Sequence, residues 1–454
     1  MVVTVFSPGV RVHVVGVGGA GMSGLARLPV ESGAVVSGSD LQDSVTLEAL
    51  RELGVTVFVG HDGSNVRADV VSWSPAVRDD NVELVAARDA GATMLSRAQV
   101  LAELARARPL VGLTGTHGKT TATSMLVHVM AAEGRDVGRL LGADVLGVGA
   151  NGHWGSGDVV VEVDESYGTF SLVRPHALGL LNVEADHLDH YGTLGALEHA
   201  FAQLLDRTDG PVVIWNDDAG CRRVASIAAR EVVRVGSARG ERWRVSDVAV
   251  TRESANFTLT GPDVEQALTL HVTGLHNVAD AAVVAVLATQ LGVSVASIRA
   301  GLENFVGAPR RFELLGSWRG VDVYESYAHL PGEIRAILRA TRAAGYERIT
   351  AVFQPHRVTR TLSLVDDFAP AFDVATAVVV TDIYTAGEPN PTGVTGEVIA
   401  AAILRRGAGV ATTYCAALED VPDVLEALHD RSDVVVLLGA GDVASVATRL
   451  RGMD

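Results

Sequence analysis

Short runs of apolar, mostly β-branched residues alternate with segments of helical periodicity along most of the 454-residue chain. Runs such as RVHVVGV and DVVSWS are typical of buried strands, and segments such as TLEALRELG and NVELVAARDAG between them are typical of helices. A strand, a helix and a second strand in succession imply a parallel sheet with crossover helices. The pattern therefore predicts an α/β protein.

Breaks in this alternation divide the chain into three parts. A second series of strands and helices begins at RPLVGLTG, and a third follows VGAPRRFELLG, which we interpret as a linker because Gly-Ala-Pro interrupts the helical pattern. Between roughly 243 and 273, strand-like runs follow one another without helices, which predicts a small antiparallel edge. The length allows two to four domains. The breaks place three, at 1–107, 108–308 and 309–454.

Composition excludes several classes of protein. The chain has 37 basic and 54 acidic residues, a formal net charge of −17 and no basic run, which argues against nucleic acid as a partner. No apolar run approaches the ~20 residues that a membrane span requires. The first residues enter a strand pattern without a basic region or cleavage site, so we expect a cytoplasmic protein without a signal peptide. Cys221 and Cys415 alone supply neither a disulfide framework nor zinc-ligand spacing.

The first glycine-rich loop, VVGVGGAGMSG, lies between the first predicted strand and a helix. Its spacing matches the dinucleotide-binding fingerprint, in which glycines let a diphosphate approach backbone N–H groups at the start of a helix. A nicotinamide dinucleotide and another diphosphate-linked nucleotide both fit this motif, and a merely tight strand–helix turn is the structural alternative. The residues predicted to bind here are Gly16, Gly18, Gly19, Gly21, Ser39 and Asp40.

The second glycine-rich loop, GTHGKTT, also lies between a predicted strand and a helix. Its backbone amides can hold the β- and γ-phosphates of ATP, and the hydroxyl of Thr120 can reach Mg²⁺. Lys119 is the only lysine among the 37 basic residues, and a compact ammonium suits this position better than a planar guanidinium. We therefore predict ATP binding by Gly115, Thr116, His117, Gly118, Lys119, Thr120 and Thr121.

Carboxylates and histidines follow the next two predicted strands. Asp164 and Glu165 end one strand, and Asp186, His187, Asp189 and His190 come after the next. Ligands of an open parallel sheet gather at the carboxyl ends of its strands, so these groups are expected to converge on the phosphates and to favour Mg²⁺. The alternative for either cluster is a solvated loop that binds no ligand.

The combination of GVGGAGMSG, SGSD, GTHGKTT, VDES and NVEADHLDHY resembles the Mur ligase family. The resemblance continues through GLHNVAD, RRFE, ESYAHLPGEI, FQPHRVTRT, DIYTAGE and GAGDV, and it covers nearly the whole chain. It implies a Rossmann-like UDP-sugar-binding domain over 1–107, a central P-loop ATPase-type α/β domain over 108–308 and a Rossmann-like, amino-acid-binding domain over 309–454. The shortened spelling G-x-x-G-K-T is ordinary in this family.

The resemblance also implies an activity in peptidoglycan precursor synthesis. The expected reaction is ATP-dependent joining of L-alanine to the lactyl carboxylate of UDP-N-acetylmuramate through an acyl phosphate. The first loop would then hold the UDP diphosphate. By the same resemblance, Thr120 and Glu165 would bind one Mg²⁺, and His187 a second.

Further roles are implied by the resemblance alone. Residues expected near the ATP base are His276, Asn277 and Asp280. Residues expected on the amino-acid side are Tyr327, His329, His356, Arg357 and Arg360. The catalytic set that follows is Lys119, Glu165, His187, His329, Arg357 and Arg360.

Four positions depart from the family pattern, and one of them is Ser326, which follows Glu325 where members often have a pair of acids before the tyrosine. Where members usually have Y-[GA]-H-H-P-T-E, this chain has Leu330 and Gly332, and Asp280 replaces the last asparagine of G-x-H-N-x-x-N. A carboxylate accepts from the adenine amino group but cannot donate to a ring nitrogen. The departures leave open a paralogous Mur-type amide ligase with a different amino acid or acceptor. A regulatory nucleotide-binding relative and a nicotinamide dehydrogenase are further alternatives, and the chain is either a monomer or a homodimer.

Overall fold

A computed structural model describes residues 4–74, 77–262 and 264–452. The chain divides into two compact units, and each is described here by itself. Unit 1 comprises Met1–Val248, Asn256–Leu270 and Asn277–Val306. Unit 2 comprises Ala249–Ala255, His271–His276 and Gly307–Asp454.

The amino-terminal part of unit 1 is built on a parallel sheet. Its strands, in chain order, are Arg11–Val15 (β1), Val35–Asp40 (β2), Thr56–Val59 (β3), Val70–Trp73 (β4) and Thr93–Ser96 (β5). The helices are Ala20–Glu31 (α1), Val45–Glu52 (α2), Val82–Asp89 (α3) and Arg97–Ala107 (α4). The strand order is β3-β2-β1-β4-β5, so the order reverses beside β1. The first glycine loop follows β1 and therefore lies at the switch point, where open α/β sheets bind ligands.

The second sheet of unit 1 carries the second glycine loop. Its strands are Leu110–Thr114 (β6), Gly138–Leu140 (β7), Gly152–His153 (β8), Val159–Glu162 (β9), Ala177–Leu180 (β10), Val212–Trp215 (β11), Val233–Gly236 (β12), Trp243–Val250 (β13), Ala255–Gly261 (β14) and Val264–Leu270 (β15). The helices are Lys119–Ala132 (α5), Thr169–Leu172 (α6), Leu188–Tyr191 (α7), Leu194–Arg207 (α8), Ala219–Ile227 (α9), Leu275–Gln290 (α10) and Val295–Glu303 (α11). The strand order is β15-β14-β13-β12-β11-β10-β6-β9-β7-β8. Strand β6 lies between β10 and β9 and is parallel to both, which brings the segments after these three strands to one edge.

Unit 2 contains a third sheet. Its strands are Arg311–Trp318 (β16), Val321–Ser326 (β17), Ile349–Phe353 (β18), Ala377–Val380 (β19), Ala411–Tyr414 (β20) and Val434–Leu438 (β21). The helices are Pro331–Ala343 (α12), Val358–Ser363 (α13), Val365–Ala371 (α14), Glu397–Arg406 (α15), Val421–Leu428 (α16) and Ser445–Arg451 (α17). The strand order is β16-β17-β21-β18-β19-β20, with β16 antiparallel to β17 and the other pairs parallel.

The predicted α/β class with three domains is confirmed by these sheets. Strands β18 and β21 are buried throughout, as their unbroken apolar runs predict for a parallel sheet covered on both faces. The predicted linker is shorter than expected, because strand β16 already begins at Arg311 and pairs with β17. In the described part of the chain, no helix is both long enough and apolar enough to cross a membrane.

Candidate ATP and substrate sites

The second glycine loop, residues 115–118, connects β6 to α5. Gly115 and Gly118 have positive φ angles of 145° and 82°, which disfavour any side chain. Packing adds a second constraint, since a Cβ atom at Gly118 would lie 2.6 Å from Oδ2 of Asp280. The loop thus presents a bare backbone at the start of a helix, an arrangement suited to phosphate groups.

Lys119 is the first residue of α5 and is tied back to the loop. Its Nζ donates to Oε2 of Glu165 at 2.8 Å and to the carbonyl of Gly115 at 2.6 Å, and it lies 3.8 Å from Oδ2 of Asp164. Burial by itself lowers the pKa of the ammonium, but the charges of Glu165 and Asp164 outweigh burial and raise this pKa above its ordinary value. Lys119 is therefore charged throughout the physiological pH range.

The two carboxylates beside Lys119 shift in opposite directions. Burial raises the pKa of Glu165 by more than the charge of Lys119 lowers it. Burial also acts on Asp164, but the charge of Lys119 and hydrogen bonds from Ser166 outweigh it and lower the pKa of Asp164 to about 2. The Tyr191 hydroxyl donates to the backbone carbonyl of Glu165 at 2.5 Å, which fixes the backbone of this segment.

Glu165, Asp186 and His187 form a candidate cation site. One ligand atom from each residue lies within 4.8 Å of the other two. Two carboxylates and an imidazole fit a divalent cation. The sequence analysis expected Asp186 among the groups that favour Mg²⁺, but the resemblance implied only Thr120, Glu165 and His187 as ligands. Thr120, the third residue predicted to bind metal, is buried in the first turn of α5.

Asn182 holds the middle of the second loop in place. Its side chain accepts from the N–H of His117 at 2.8 Å and donates to the carbonyl of His117 at 3.0 Å. Its own carbonyl accepts from the N–H of Thr116 at 3.1 Å. Nε2 of His117 lies 3.2 Å from the carboxylate of Glu184. These supporting roles of Asn182 and Glu184 were missed, although both residues belong to the motif NVEADHLDHY.

Asp280 and Asn277 are buried residues of α10 in unit 1. Burial raises the pKa of Asp280 well above its ordinary value, and the charge of His117 offsets this only in part. A protonated carboxyl carries an O–H donor, so the expectation that a carboxylate cannot donate applies only to the ionised form of Asp280. His276, in unit 2, has its pKa lowered by burial to about 4 and is neutral near pH 7.

Asp40 shapes the first glycine loop from within. Its Oδ2 accepts from the N–H of Gly18 at 2.8 Å, and its Oδ1 accepts from the N–H of Leu41 at 2.8 Å. A Cβ atom at Gly18 would lie 2.9 Å from that Oδ2, so the contact requires glycine. Gly16 has a φ angle of 76°, and Gly19 directly precedes α1. Contacts within the protein therefore hold the conformation of this loop without a ligand.

Ser39 faces the interior. Its hydroxyl donates to the buried carboxylate of Glu83 and lies 3.1 Å from Nδ1 of His61. Its carbonyl accepts from the N–H of Gly16 at 2.8 Å. Burial opposes ionisation of Glu83, but hydrogen bonds from His13, Ser39 and other neighbours lower its pKa to about 2. These contacts favour a supporting role for Ser39 beneath the loop.

In unit 2, His356 lies among aromatic and basic side chains. Its ring stacks on Tyr384 with centroids 5.7 Å apart, and the ring of His329 lies 5.6 Å away. Nη1 of Arg360 is 3.2 Å from Nδ1 of His356. Burial, followed by the charges of His329 and the two nearby arginines, lowers the pKa of His356 to about 4. A neutral His356 can accept a hydrogen bond from Arg360 and so orient its guanidinium.

The other predicted residues of unit 2 lie close by. The rings of Tyr327 and His329 are 5.3 Å apart, and the guanidinium of Arg310 lies 5.0 Å from the Tyr327 ring. Arg357 has a φ angle of 70°, and its Nη1 lies 3.9 Å from Oε1 of Glu388. The predicted set Tyr327, His329, His356 and Arg360 is thus connected by direct contacts.

A cleft of about 500 Å³ opens beside this cluster and was not predicted. Segments after β18, β19, β20 and β21 line it, and Tyr384 belongs both to the cleft and to the stack on His356. Its lining includes three acidic side chains, Asp382, Glu419 and Asp442. Such a lining favours a cationic group over an anionic one.

Comparison with known proteins gives three family matches. The model described as Mur ligase family, catalytic domain matches residues 11–109, the Mur ligase middle domain matches residues 113–288, and the Mur ligase glutamate ligase domain matches residues 310–441. A protein of Thermobifida fusca named UDP-N-acetylmuramate–L-alanine ligase is 41% identical over 97% of this chain and 96% of its own length. This chain belongs to the Mur ligase family.

Two further relatives span the full length of this Mur ligase. A Clavibacter sepedonicus protein, also named UDP-N-acetylmuramate–L-alanine ligase, is 40% identical over 97% of this chain and 93% of its own length. The crystal structure of UDP-N-acetylmuramate–alanine ligase from Thermotoga maritima superposes with a TM-score of 0.81 at 30% identity, covering 98% of this chain and 99% of that one. Mur ligases use ATP, which agrees with the prediction for the second loop.

Among the departures of this Mur ligase, Leu330 and Asp280 are buried. Leu330 directly precedes α12, and only 5% of its surface is exposed. Oε2 of Glu333 accepts from the N–H groups of His329 at 2.8 Å and Leu330 at 3.1 Å, which closes the start of the helix. Leu330 thus contributes buried apolar surface. Asp280 packs against the second glycine loop, where burial raises the pKa of its carboxyl group.

Proposed function

We propose that this Mur ligase is a UDP-N-acetylmuramate–L-alanine ligase that acts in peptidoglycan precursor synthesis. The observation that carries the proposal is the Lys119–Glu165 pair, which lies at a phosphate-type loop beside the candidate cation site of Glu165, Asp186 and His187. Full-length relatives at about 40% identity bear this name.

The second loop binds the phosphates of ATP in this proposal. The backbone amides of residues 115–120 surround the β- and γ-phosphates, and the ammonium of Lys119 lies against them. Glu165, Asp186 and His187 hold Mg²⁺, with Thr120 as a further ligand. The bound cation offsets negative charge on the phosphates. The residues fit such an ion because two of the three clustered donors are carboxylates.

The chemistry is proposed to proceed in two steps. An oxygen of the lactyl carboxylate attacks the γ-phosphorus, the bond to ADP breaks, and an acyl phosphate forms. The neutral amine of L-alanine then attacks the acyl carbon, inorganic phosphate leaves, and the nitrogen loses a proton to solvent as the amide forms. Lys119 contributes by holding positive charge where negative charge develops on the transferred group, and positioning supplies most of the remaining rate enhancement.

The first loop is proposed to hold the UDP diphosphate. Gly16, Gly18, Gly19 and Gly21 expose backbone N–H groups near the start of α1, and Asp40 fixes the loop through the N–H of Gly18. Asp40 and Ser39 act in this proposal chiefly by shaping the loop.

Unit 2 is proposed to bind the amino acid. Arg360, oriented by neutral His356, presents a planar fork that suits the carboxylate of L-alanine, and Arg357 adds positive charge. A base with a pKa of about 4 is largely unable to remove a proton from an ammonium near pH 7, so His356 is assigned an orienting role. His329 and Tyr327 complete the wall of this site.

The proposed partners are small molecules, namely UDP-N-acetylmuramate, L-alanine and ATP. We place the reaction in the cytoplasm, which supplies ATP. The acidic net charge gives no support to nucleic acid as a partner.

Phosphate release from ATP tests the proposal. The assay combines Mg²⁺ and ATP with UDP-N-acetylmuramate or UDP-N-acetylglucosamine, each with L-alanine, glycine, L-serine or L-valine. Release is expected only with the muramate sugar, because the glucosamine sugar has no lactyl carboxylate, and kcat/KM is expected to be highest for L-alanine. The Leu330 and Gly332 departures favour one rival, a paralogous ligase, which would show a clear preference for another amino acid or acceptor. No release with any pair would refute both.

A further inference from the structure

Arg97, which no sequence motif singled out, lies against the first glycine loop. It is the first residue of α4 and follows β5, so it stands at the sheet edge that carries this loop. A Cβ atom at Gly21 would lie 3.3 Å from Nε of Arg97 and 3.7 Å from its Cζ. The lack of a side chain at Gly21 therefore makes room for the guanidinium.

One nitrogen of the Arg97 guanidinium is unpaired among the residues that the structure describes. Its Nε is buried and has no hydrogen-bond partner there. Two other arginines of the same domain are paired, Arg11 with Asp69 at 2.6 Å and Arg51 with Asp43 at 2.9 Å, whereas Nε of Arg27 is likewise buried without a hydrogen-bond partner. A partly buried charge without a partner is costly, and an anion placed beside it would offset that cost.

Arg97 interacts with residues of both sheets of unit 1. It contributes to the lowered pKa of Asp164, in the segment after β9, while its side chain touches Gly21 in the first turn of α1. The residue as a whole is partly exposed, so a ligand can reach part of it. The guanidinium thus lies where an anion bound at the start of α1 gains a second positive group.

We propose that Arg97 binds the diphosphate of the UDP-sugar and positions it on the first loop. This inference rests on the proposed function, because it assumes a UDP-sugar as substrate. A planar guanidinium fork matches two phosphate oxygens, and backbone N–H groups of the loop supply the remaining donors. The lactyl carboxylate is the other anion of the same substrate, and the test below separates the two.

Calorimetric titration of Arg97→Gln with UDP, UDP-N-acetylglucosamine and UDP-N-acetylmuramate tests the assignment. Loss of one charge-assisted fork is expected to raise Kd about 10- to 100-fold for all three, because all three carry the diphosphate. Arg97→Lys keeps the charge but loses the fork, so a smaller increase is expected. Arg106→Gln removes an exposed arginine from the same helix and serves as the matched control, with unchanged Kd.

The outcomes separate this inference from the proposed function. If the wild-type chain binds none of the UDP-sugars, the proposed function fails. If the wild-type chain binds them, and the Kd of Arg97→Gln for each of the three stays within twofold of the wild-type Kd, only the inference about Arg97 is overturned. A loss confined to UDP-N-acetylmuramate would overturn the diphosphate assignment in favour of the lactyl carboxylate. Binding of an ATP analogue with Mg²⁺ reports folding, and if Arg97→Gln does not fold, Arg97→Lys decides by the same criteria.

Discussion

Asp280 packs its carboxyl group directly against the α-carbon of Gly118, leaving too little space for a methyl group between them. The contact joins α10 to the phosphate loop, and it pairs a buried acid with a glycine of positive φ. The conformation of the second glycine loop and the burial of Asp280 therefore depend on the same contact.

Gly118→Ala is expected to abolish most ATP binding and to destabilise the chain by about 2–4 kcal/mol, because left-handed strain and a steric clash add together. Gly134→Ala is the matched control at the other end of α5. Gly134 has a φ angle of 77°, but an added Cβ atom meets nothing within 4 Å, so only the strain of about 1–2 kcal/mol is expected. Thermal unfolding and ATP titration measure both. Equal losses in the two variants would contradict the packing argument.

Asp280→Asn is expected to make the chain more stable than wild type at pH 7 but not near pH 4. Burial raises the pKa of Asp280 in the folded chain, so the folded state keeps a proton that the unfolded state releases above its pKa of about 3.9. This group therefore weakens stability as pH rises above about 4, and the asparagine removes that effect. Urea unfolding from pH 4 to pH 7 measures it, with the exposed Asp89→Asn as control. A stability difference that does not grow with pH would be the contrary result.

Lys119→Arg is expected to lower kcat by about 100-fold or more while the melting temperature stays near that of wild type. The guanidinium is larger than the ammonium and cannot reproduce its bonds to Glu165 and the Gly115 carbonyl. Arg106→Lys makes the reverse exchange at an exposed position and should leave turnover unchanged. Near-normal turnover of a folded Lys119→Arg chain would refute the role assigned to Lys119.

Asp186→Asn, His187→Ala and Glu165→Gln are each expected to raise the Mg²⁺ concentration for half-maximal rate by at least about 10-fold, since even groups that only support metal ligands cost 10- to 100-fold. UDP-sugar affinity should persist, because the first loop lies on another sheet. Titration of turnover with Mg²⁺ and calorimetry with UDP measure the two effects. Glu52→Gln, an exposed carboxylate on α2, is the control. Loss of UDP affinity would reassign these residues to the sugar site.

Leu330→Ala is expected to cost about 2–4 kcal/mol of stability, because it empties a buried apolar position, and to leave the order of amino-acid preference unchanged. A pocket difference of one methylene changes specificity by roughly 10- to 200-fold. A shift of that size toward larger amino acids would therefore show that Leu330 contacts the substrate. Relative kcat/KM values for L-alanine and L-valine provide the measurement.

The gathering of chemical groups at one edge of a parallel sheet was predictable from the sequence. Each glycine loop directly follows a buried strand, and parallel pairing brings the residues after β6, β9 and β10 to one edge, so the meeting of Lys119 with Glu165 could be foreseen. The direction in which each side chain points could not be predicted from the sequence. Ser39 and Asp40 stand in a motif suited to ligand contact, yet their oxygens serve Glu83 and the N–H of Gly18.

Contacts between segments far apart in the sequence also could not be predicted from a local sequence pattern. The approach of Asp280 to Gly118 spans more than a hundred residues, and only the packed structure shows that burial favours the protonated acid. Arg97 belongs to no motif, because a single arginine at the start of a helix has no distinctive spacing. The cleft in unit 2 arises from four separate strand ends, none of which is unusual alone.

In the proposed function, the bond between Lys119 and Glu165 couples the affinity for the ATP phosphates to the affinity for Mg²⁺. Each group is the other's partner, so a phosphate that takes Lys119 releases a carboxylate for the cation, and a cation that takes Glu165 releases the ammonium for the phosphate. Nucleotide and metal must then strengthen each other's binding by the same factor, since thermodynamic coupling is reciprocal. A phosphate loop closed by its own internal ion pair is in this way made responsive to the metal-loaded nucleotide over either ligand alone.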